Sequence, residues 1–464
     1  MKFIKLRVLI GLCLFVAVVA NGATNSPITL SIDAAKTDGK IDLTKYALCQ
    51  GGHSENPILK PHLDQIAQLH PQTIRIFIQE LFDLYPAHGR YQWEKLDRFI
   101  EHILATGAKP IVCLCFKPKV LFPKIDQTIV HPNNYKEWEE LIFQLVKHCQ
   151  EKKFGIEYWE ISNEPDIGEG GGCPYLFKKE DYVIYYQHTA AAIQRADAKA
   201  KVGGPALANP RSDIGDALLE HCGTTDTPLD FFSWHLYSGE PKAFRFLIHE
   251  FKAKFAKYPK LKNCEMIIDE WNVDLFALNY DPSFQPAFIL ENTLGFQEEG
   301  VSRSAYYHIR DYYIDEKRFA QFMSPEGAAL TAEYWNVLPQ LPSLCGIWDN
   351  QGRVRPAYLS FKLLSQIRGE KLSVQGTTEE VHALAAKNDR FVQIVLWNFS
   401  TNKMESVTLQ TSGLKPEQRF FEMNLNVVAN QLDTVRQGSI GELKERPLQF
   451  TLPPYGIRWI AISH

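Results

Sequence analysis

The chain has 464 residues, 45% hydrophobic and 12% aromatic, with a formal net charge of -4. That length supports one large domain with a smaller one, or two to three of ordinary size. The near-balanced charge, with no long run of one sign, offers no field for a nucleic acid, and the nine Trp and nineteen Tyr give flat surfaces of the kind that stack on sugars.

Lys2, Lys5 and Arg7 precede an apolar run from Val8 to Ala20 and the small polar segment Asn21-Gly22-Ala23-Thr24. This is the order of a secretory signal, placed at residues 1–22, and predicts a secreted or periplasmic protein. The run is too short for a comfortable span, and no later stretch approaches 18 apolar residues, so no membrane span is expected in the mature chain. Loss of Cys13 with the signal leaves eight cysteines at scattered spacing, with no Cys-x-x-Cys and no histidines at ligand spacing. A zinc cluster is therefore not expected. Cys49, Cys113, Cys115 and Cys264 lie in apolar strand-like runs and read as buried free thiols.

Ile28 to Ile32 alternates like an edge strand and leads into a turn at Thr37-Asp38-Gly39-Lys40. A strand and helix rhythm follows. Strands are predicted at 47–51, 73–78, 109–116, 158–162, 201–205, 231–235, 265–269 and 304–308, and helices at 61–69, 93–104, 138–149, 182–196, around 214–219, 242–255 and 286–299. Eight near-continuous apolar strands alternating with helices in about 300 residues fit an α/β fold, a closed (β/α)8 TIM barrel over 46–368. A doubly wound open sheet is the alternative, without the Gly-x-Gly-x-x-Gly that a dinucleotide version would carry. After a last helix at 357–367 the pattern becomes strand-only, at 371–374, 381–386, 391–398, 406–409, 419–422, 448–452 and 457–462. This predicts a C-terminal β-sandwich over 369–464, which the N-terminal strand within 23–45 joins. Asn398-Phe399-Ser400 has the form of an N-glycan acceptor, but lies in an apolar strand.

In such a barrel the C-terminal strand ends ring one cavity. The residues falling there are Gly52-His53, Arg75, Lys117, Asn163-Glu164, His235 with Tyr237, Glu270-Trp271-Asn272 and Tyr307-His308. Glu164 and Glu270 stand out. Glycosidic cleavage needs one protonated carboxyl for the leaving oxygen and one carboxylate to attack or to activate water. Asn163 would hold a sugar hydroxyl and Arg75 would keep the second carboxylate ionised, while His53, Lys117, Trp271, Tyr237, His235 and Tyr307 are the remaining candidates for the sugar.

The blocks Trp-Glu-Ile-Ser-Asn-Glu-Pro-Asp (159–166) and Asp-Glu-Trp-Asn (269–272) resemble the acid/base and nucleophile motifs of clan A glycoside hydrolases, and in detail family 39, the β-xylosidases and α-L-iduronidases. Thr106-Gly107-Ala108-Lys109-Pro110, Ser233-Trp234-His235-Leu236-Tyr237 and the closing Leu452-Pro453-Pro454-Tyr455 are similar too, so the resemblance covers most of the mature chain. It implies a retaining double displacement with Glu164 as acid/base and Glu270 as nucleophile, Asn163 on the hydroxyl next to the anomeric carbon, Arg75 supporting Glu270, and His235 or Tyr237 near the nucleophile. It also implies that no metal or organic cofactor is required, and the carboxylates should then be about 5–5.5 Å apart. The pattern departs where Arg75-Ile76-Phe77-Ile78-Gln79 lacks the family's closely following His, and where Tyr306-Tyr307-His308 replaces a strand-eight Trp common in the clan. These are sugar-contacting positions. An endo-acting enzyme, one for a uronate or another pentose, and a non-catalytic carbohydrate-binding barrel remain alternatives.

Overall fold

The computed structural model describes residues 26–52, 57–274, 281–337 and 346–463. Eight parallel strands close into a barrel in chain order. After an N-terminal strand β1 (Ile28–Asp42), these are β2 (Tyr46–Cys49), β3 (Thr73–Ile78), β4 (Lys109–Leu114), β5 (Tyr158–Ile161), β6 (Lys201–Leu207), β7 (Phe231–Tyr237), β8 (Glu265–Asn272) and β9 (Arg303–Tyr307). Both faces of each strand are buried, one by the barrel interior and the other by helices, which is why the strands read as unbroken apolar runs rather than alternating ones. Ile111, Tyr158, Phe231 and Ile267 form a small apolar layer inside the barrel. The Tyr158 hydroxyl donates to Glu265 at 2.9 Å and accepts from Lys201 Nζ and Arg303 Nε at 3.0 Å each. This plugs the N-terminal end of the barrel and leaves the opposite end for chemistry.

The C-terminal strands β10 (Arg368–Gln375), β11 (Val381–Lys387), β12 (Phe391–Asn398), β13 (Glu405–Ser412), β14 (Arg419–Asn426), β15 (Gln431–Ser439), β16 (Leu448–Leu452) and β17 (Ile457–Ser463) join β1 in one nine-stranded mixed sheet, ordered β15-β14-β17-β12-β11-β10-β1-β13-β16. Side chains from both wings, among them Leu30, Ile32, Ile394, Leu396, Leu409, Phe450 and Ile460, meet in one core, so the sandwich is a single sheet folded on itself. The alternate residues Leu384, Val395 and Trp397 belong instead to the barrel's core. Between the two units lies the helix Phe284–Glu298, buried on every side from 286 to 296 and without a separate polar face, and its Glu291 accepts a 2.9 Å bond from Trp397 Nε1.

β1 differs from expectation in two ways. It lies between β10 and β13, not at an edge, because its alternation reports one solvated face rather than a free side. The expected turn at 37–40 is a pair of register shifts within the strand, with Gly39 at φ 75°. β15 was absent from the sequence reading: it is an edge strand, mostly polar and exposed. Asn398 is buried, and its Nδ2 donates to the carbonyls of Lys403, Leu452 and Pro453, so it serves the fold rather than a glycan. Among the described residues seven cysteines are free thiols, including the four predicted. Among the described residues no helix is long and apolar enough to cross a membrane.

Candidate active site

Arg75, from the middle of β3, is fully buried and organises the open end of the barrel. Its guanidinium donates to Glu160 at 2.7 Å, to Glu270 Oε1 at 2.8 Å and to Asn163 Oδ1 at 2.8 Å, and lies 3.0 Å from Asp269 Oδ2. The planar fork of arginine is what lets one cation serve so many acceptors. Fixing Asn163 Oδ1 as an acceptor leaves the amide nitrogen as a donor for a ligand.

Asp269 and Glu270 are consecutive, yet both contact Arg75. A regular strand would send them to opposite faces. Trp234 of β7 pairs with Ile268 and His235 with Glu270, so Asp269 is an inserted residue, and this bulge re-aims the strand end. A similar shift in β6 falls at Ala206, whose φ is 55° and whose carbonyl accepts the Glu164 N–H at 2.9 Å. Ser162 (φ 71°) and Glu164 (φ 44°) also have left-handed backbones, each at a cost of roughly 1–2 kcal/mol. This twist after β5 turns both Asn163 and Glu164 to the cavity.

His235 links the two carboxyl groups. Its Nδ1 is 2.8 Å from Glu164 Oε1 and 3.6 Å from Glu270 Oε2, and its Nε2 is 3.4 Å from Asp269. Tyr237 donates to Glu270 Oε2 at 2.7 Å. One oxygen of Glu164 and one of Glu270 lie within 4.8 Å of each other, close to the retaining spacing and short of the roughly 6.5–9.5 Å that accommodates a water in inverting enzymes.

The charges divide unequally. Burial pushes Glu164 up to about 7, with the bond and charge of His235 opposing the shift and Glu270 adding to it. Burial opposes a charge on His235, but the Glu270 and Asp269 carboxylates outweigh it and hold the imidazolium well above its usual range. Burial also raises Glu160 to about 8, so near neutral pH it keeps a proton to share with Asp269. Asp269 is itself held low, burial being overcome by Arg75 and His235. If Glu164 must be protonated to act, kcat/KM should fall as pH rises through about 7. Replacing His235 by glutamine removes the stabilising cation and should move that limb to higher pH; an unmoved limb in a pH-rate profile would separate it from Glu164.

Of the predicted residues, Asn163, Glu164, Tyr237, Glu270 and Tyr307 line a cavity of about 220 Å³, with Arg75 and His235 buried in contact with its carboxylates. His53 lies outside the described residues. Trp271 does not reach the cavity: with Glu270 turned inward it points to the helix layer, packs edge-on against Phe296 and Tyr306, and donates to Ser304 Oγ at 3.1 Å. Lys117 is likewise away from the cavity lining. Two residues beyond a cavity-lining position, it donates to the carbonyls of Asp126 and Pro174 and lies over the Tyr175 ring, fixing loops.

The sequence reading missed Phe77, Gln79, Tyr312, Thr331 and Trp335 in the cavity wall. Trp335 stacks on Tyr312 with ring centroids 5.7 Å apart and meets Tyr307 at 5.5 Å. An aromatic wall thus stands where the strand-eight tryptophan is absent. Thr331 and Trp335 come from the helix Pro325–Val337, which no motif announced. The glycine-rich loop after β5 grips that helix: Glu169 Oε1 accepts the Ser324 N–H at 2.8 Å, Oε2 accepts the Ser324 hydroxyl, and the Glu169 carbonyl accepts from Thr331 at 3.1 Å. Gly171 lets this loop lie on the site, since a Cβ there would come within 1.8 Å of Glu164 Oε2. Glu169→Gln removes the charge from these bonds and should loosen Trp335, lowering kcat/KM by roughly three- to tenfold, mainly through KM. A fall confined to kcat in steady-state kinetics would contradict this positioning role.

An eight-stranded barrel presenting two carboxyl groups this close, one raised toward neutrality by burial and the other held between an arginine and a tyrosine, is the arrangement of a retaining glycoside hydrolase. The profile of Glycosyl hydrolases family 39 matches residues 71–427, and the chain belongs to that family. It is 24% identical over 377 residues to a β-xylosidase of Caldicellulosiruptor saccharolyticus, covering 74% of this chain and 70% of that protein. It is also 24% identical over 360 residues to one of Geobacillus stearothermophilus, spanning 70% of this chain and 65% of that one. In fold it resembles a family 39 β-xylosidase from Caulobacter crescentus, with TM-score 0.72 and 18% identity over 94% of this chain and 100% of that one. A glucosidase from Croceicoccus marinus superposes with TM-score 0.73 and 16% identity, covering 94% and 99%.

Proposed function

We propose that this glycoside hydrolase removes a terminal β-xylosyl unit from oligo- or polysaccharides, with Glu270 as nucleophile and Glu164 as acid/base. The observation that carries the roles is the unequal setting of the two close carboxyl groups: Glu164 is raised to about 7, while Glu270 accepts from Arg75 and Tyr237. Glu270 attacks the anomeric carbon as Glu164 gives its proton to the departing oxygen. Glu164 then takes a proton from water, which attacks the same carbon and releases Glu270, so the configuration is retained. Asn163, oriented by Arg75, supplies an amide donor for a hydroxyl of the reacting sugar.

The cavity of about 220 Å³ is smaller than the roughly 300–1,000 Å³ typical of drug-sized ligands, which favours a single terminal ring. Among the described residues no Lys or Arg lines it, which favours a neutral sugar over a uronate at the reaction centre. The relatives' β-xylosidase activity supports the same choice. A panel of nitrophenyl glycosides, with the first-formed anomer followed by NMR, tests both parts: β-xyloside should be hydrolysed best and with retention. Preference for another glycoside overturns the sugar, and an inverted product overturns the roles. The order of residues 1–24 supports export, to be checked by the N-terminus of the protein recovered outside the cytoplasm.

A further inference from the structure

A second cavity, of about 630 Å³, lies beside the catalytic one. Gln79, Cys115, Ile314 and Phe319 line the catalytic cavity, and their immediate chain neighbours Glu80, Phe116, Asp315 and Arg318 line the second, so the same segments form the partition between them. The linings differ in charge. Among the described residues, Lys95, Lys119, Lys317 and Arg318 line the second cavity, with Glu80, Asp83 and Asp315 as its acidic groups.

One of those acids does little to neutralise the cations. The Glu80 carboxyl lies beneath the cavity surface with both oxygens out of reach of solvent, and burial raises it to about 8, so near neutral pH it is uncharged. Tyr85, Phe116 and Phe322 add apolar surface to the same walls. A cavity that sets aromatic rings and four cations against the two acids Asp83 and Asp315 suits a sugar ring bearing a carboxylate.

We propose that this second cavity binds an acidic sugar substituent, of the uronic acid class, carried by the substrate beyond the bond that is cut. This rests on the xyloside reading of the neighbouring site. It assigns the neutral terminal sugar to the catalytic cavity and the negative charge to its neighbour.

The test compares kcat/KM for xylotriose with that for xylotriose carrying a uronic acid branch. Wild-type protein should favour the branched substrate by about tenfold, and 0.5 M salt should shrink the preference. In Lys119→Glu/Arg318→Glu the ratio should fall to about one, whereas Lys119→Arg should keep it. A wild-type ratio of one, or a ratio unchanged in the charge-reversed protein, overturns the proposal. If neither substrate is cleaved, the xyloside reading fails by itself. Calorimetry with the same two trisaccharides and Glu164→Gln protein then decides the cavity: tighter binding of the branched one supports it, and equal binding overturns it.

Discussion

Replacing Glu270 by alanine should lower kcat about 10,000-fold for every aryl glycoside, because no other group holds its place at the reacting carbon. Arg75 and Tyr237 position this carboxylate from two sides, and neither can attack in its stead. Glu164→Ala should behave differently. General acid assistance contributes about 100- to 10,000-fold, and a leaving group that departs without a proton needs little of it. Glycosides of dinitrophenol should therefore still load the enzyme, while those of poorly acidic alcohols should be lost. Azide separates the roles further. In Glu164→Ala it should take the place of water and give a glycosyl azide of retained configuration. In Glu270→Ala it should attack the substrate directly and give the inverted one. Exchanged outcomes would exchange the assignments.

Arg75→Met should be the most damaging change outside the carboxyl pair, destabilising the protein by about 3–5 kcal/mol, because it leaves buried acids without their cation. Glu160, Asp269 and Glu270 all lie within 3.0 Å of the guanidinium, and none of their side chains is appreciably exposed. Arg75→Lys should fail nearly as badly, since a single ammonium cannot reach three carboxyl groups and Asn163 together. Glu160→Gln is the contrast: below about pH 8 it imitates the protonated form already present and should retain most stability. Denaturant melts of the three variants check the order, and a Glu160→Gln loss equal to that of Arg75→Met would refute the charge assignment.

What could be read beforehand was what repeats or what chemistry demands at fixed spacing. Eight apolar runs separated by helical periodicity give the barrel, and a charged residue ending such a run must be paired or functional, which singled out Arg75, Glu164, His235 and Glu270. Glu160 and Asp269 carried the same signal, charges inside apolar strands, and could have been found with it. The bulge at Asp269 could not: period-two counting puts it opposite Glu270, and only the pairing with β7 shows the inserted residue. Trp271 was misplaced by assuming that everything at a strand end faces the cavity. Trp335 was invisible because its helix follows the last barrel strand, in a stretch without a motif, and reaches the site through the Glu169 grip.

The position of β1 also has a temporal side. It is made before the barrel, but both its neighbours, β10 and β13, are made after it. Until they emerge, it is an unsatisfied strand with two open sides, able to pair with any extended segment it meets. Keeping this segment apart from other chains during synthesis is therefore a requirement of assembly, and a tag or truncation at its start reaches the middle of the finished sheet rather than its margin. The pairing of β1 with β10 and β13 ties a strand made before the barrel to strands made after it, so this sheet can close only once the barrel has been synthesised.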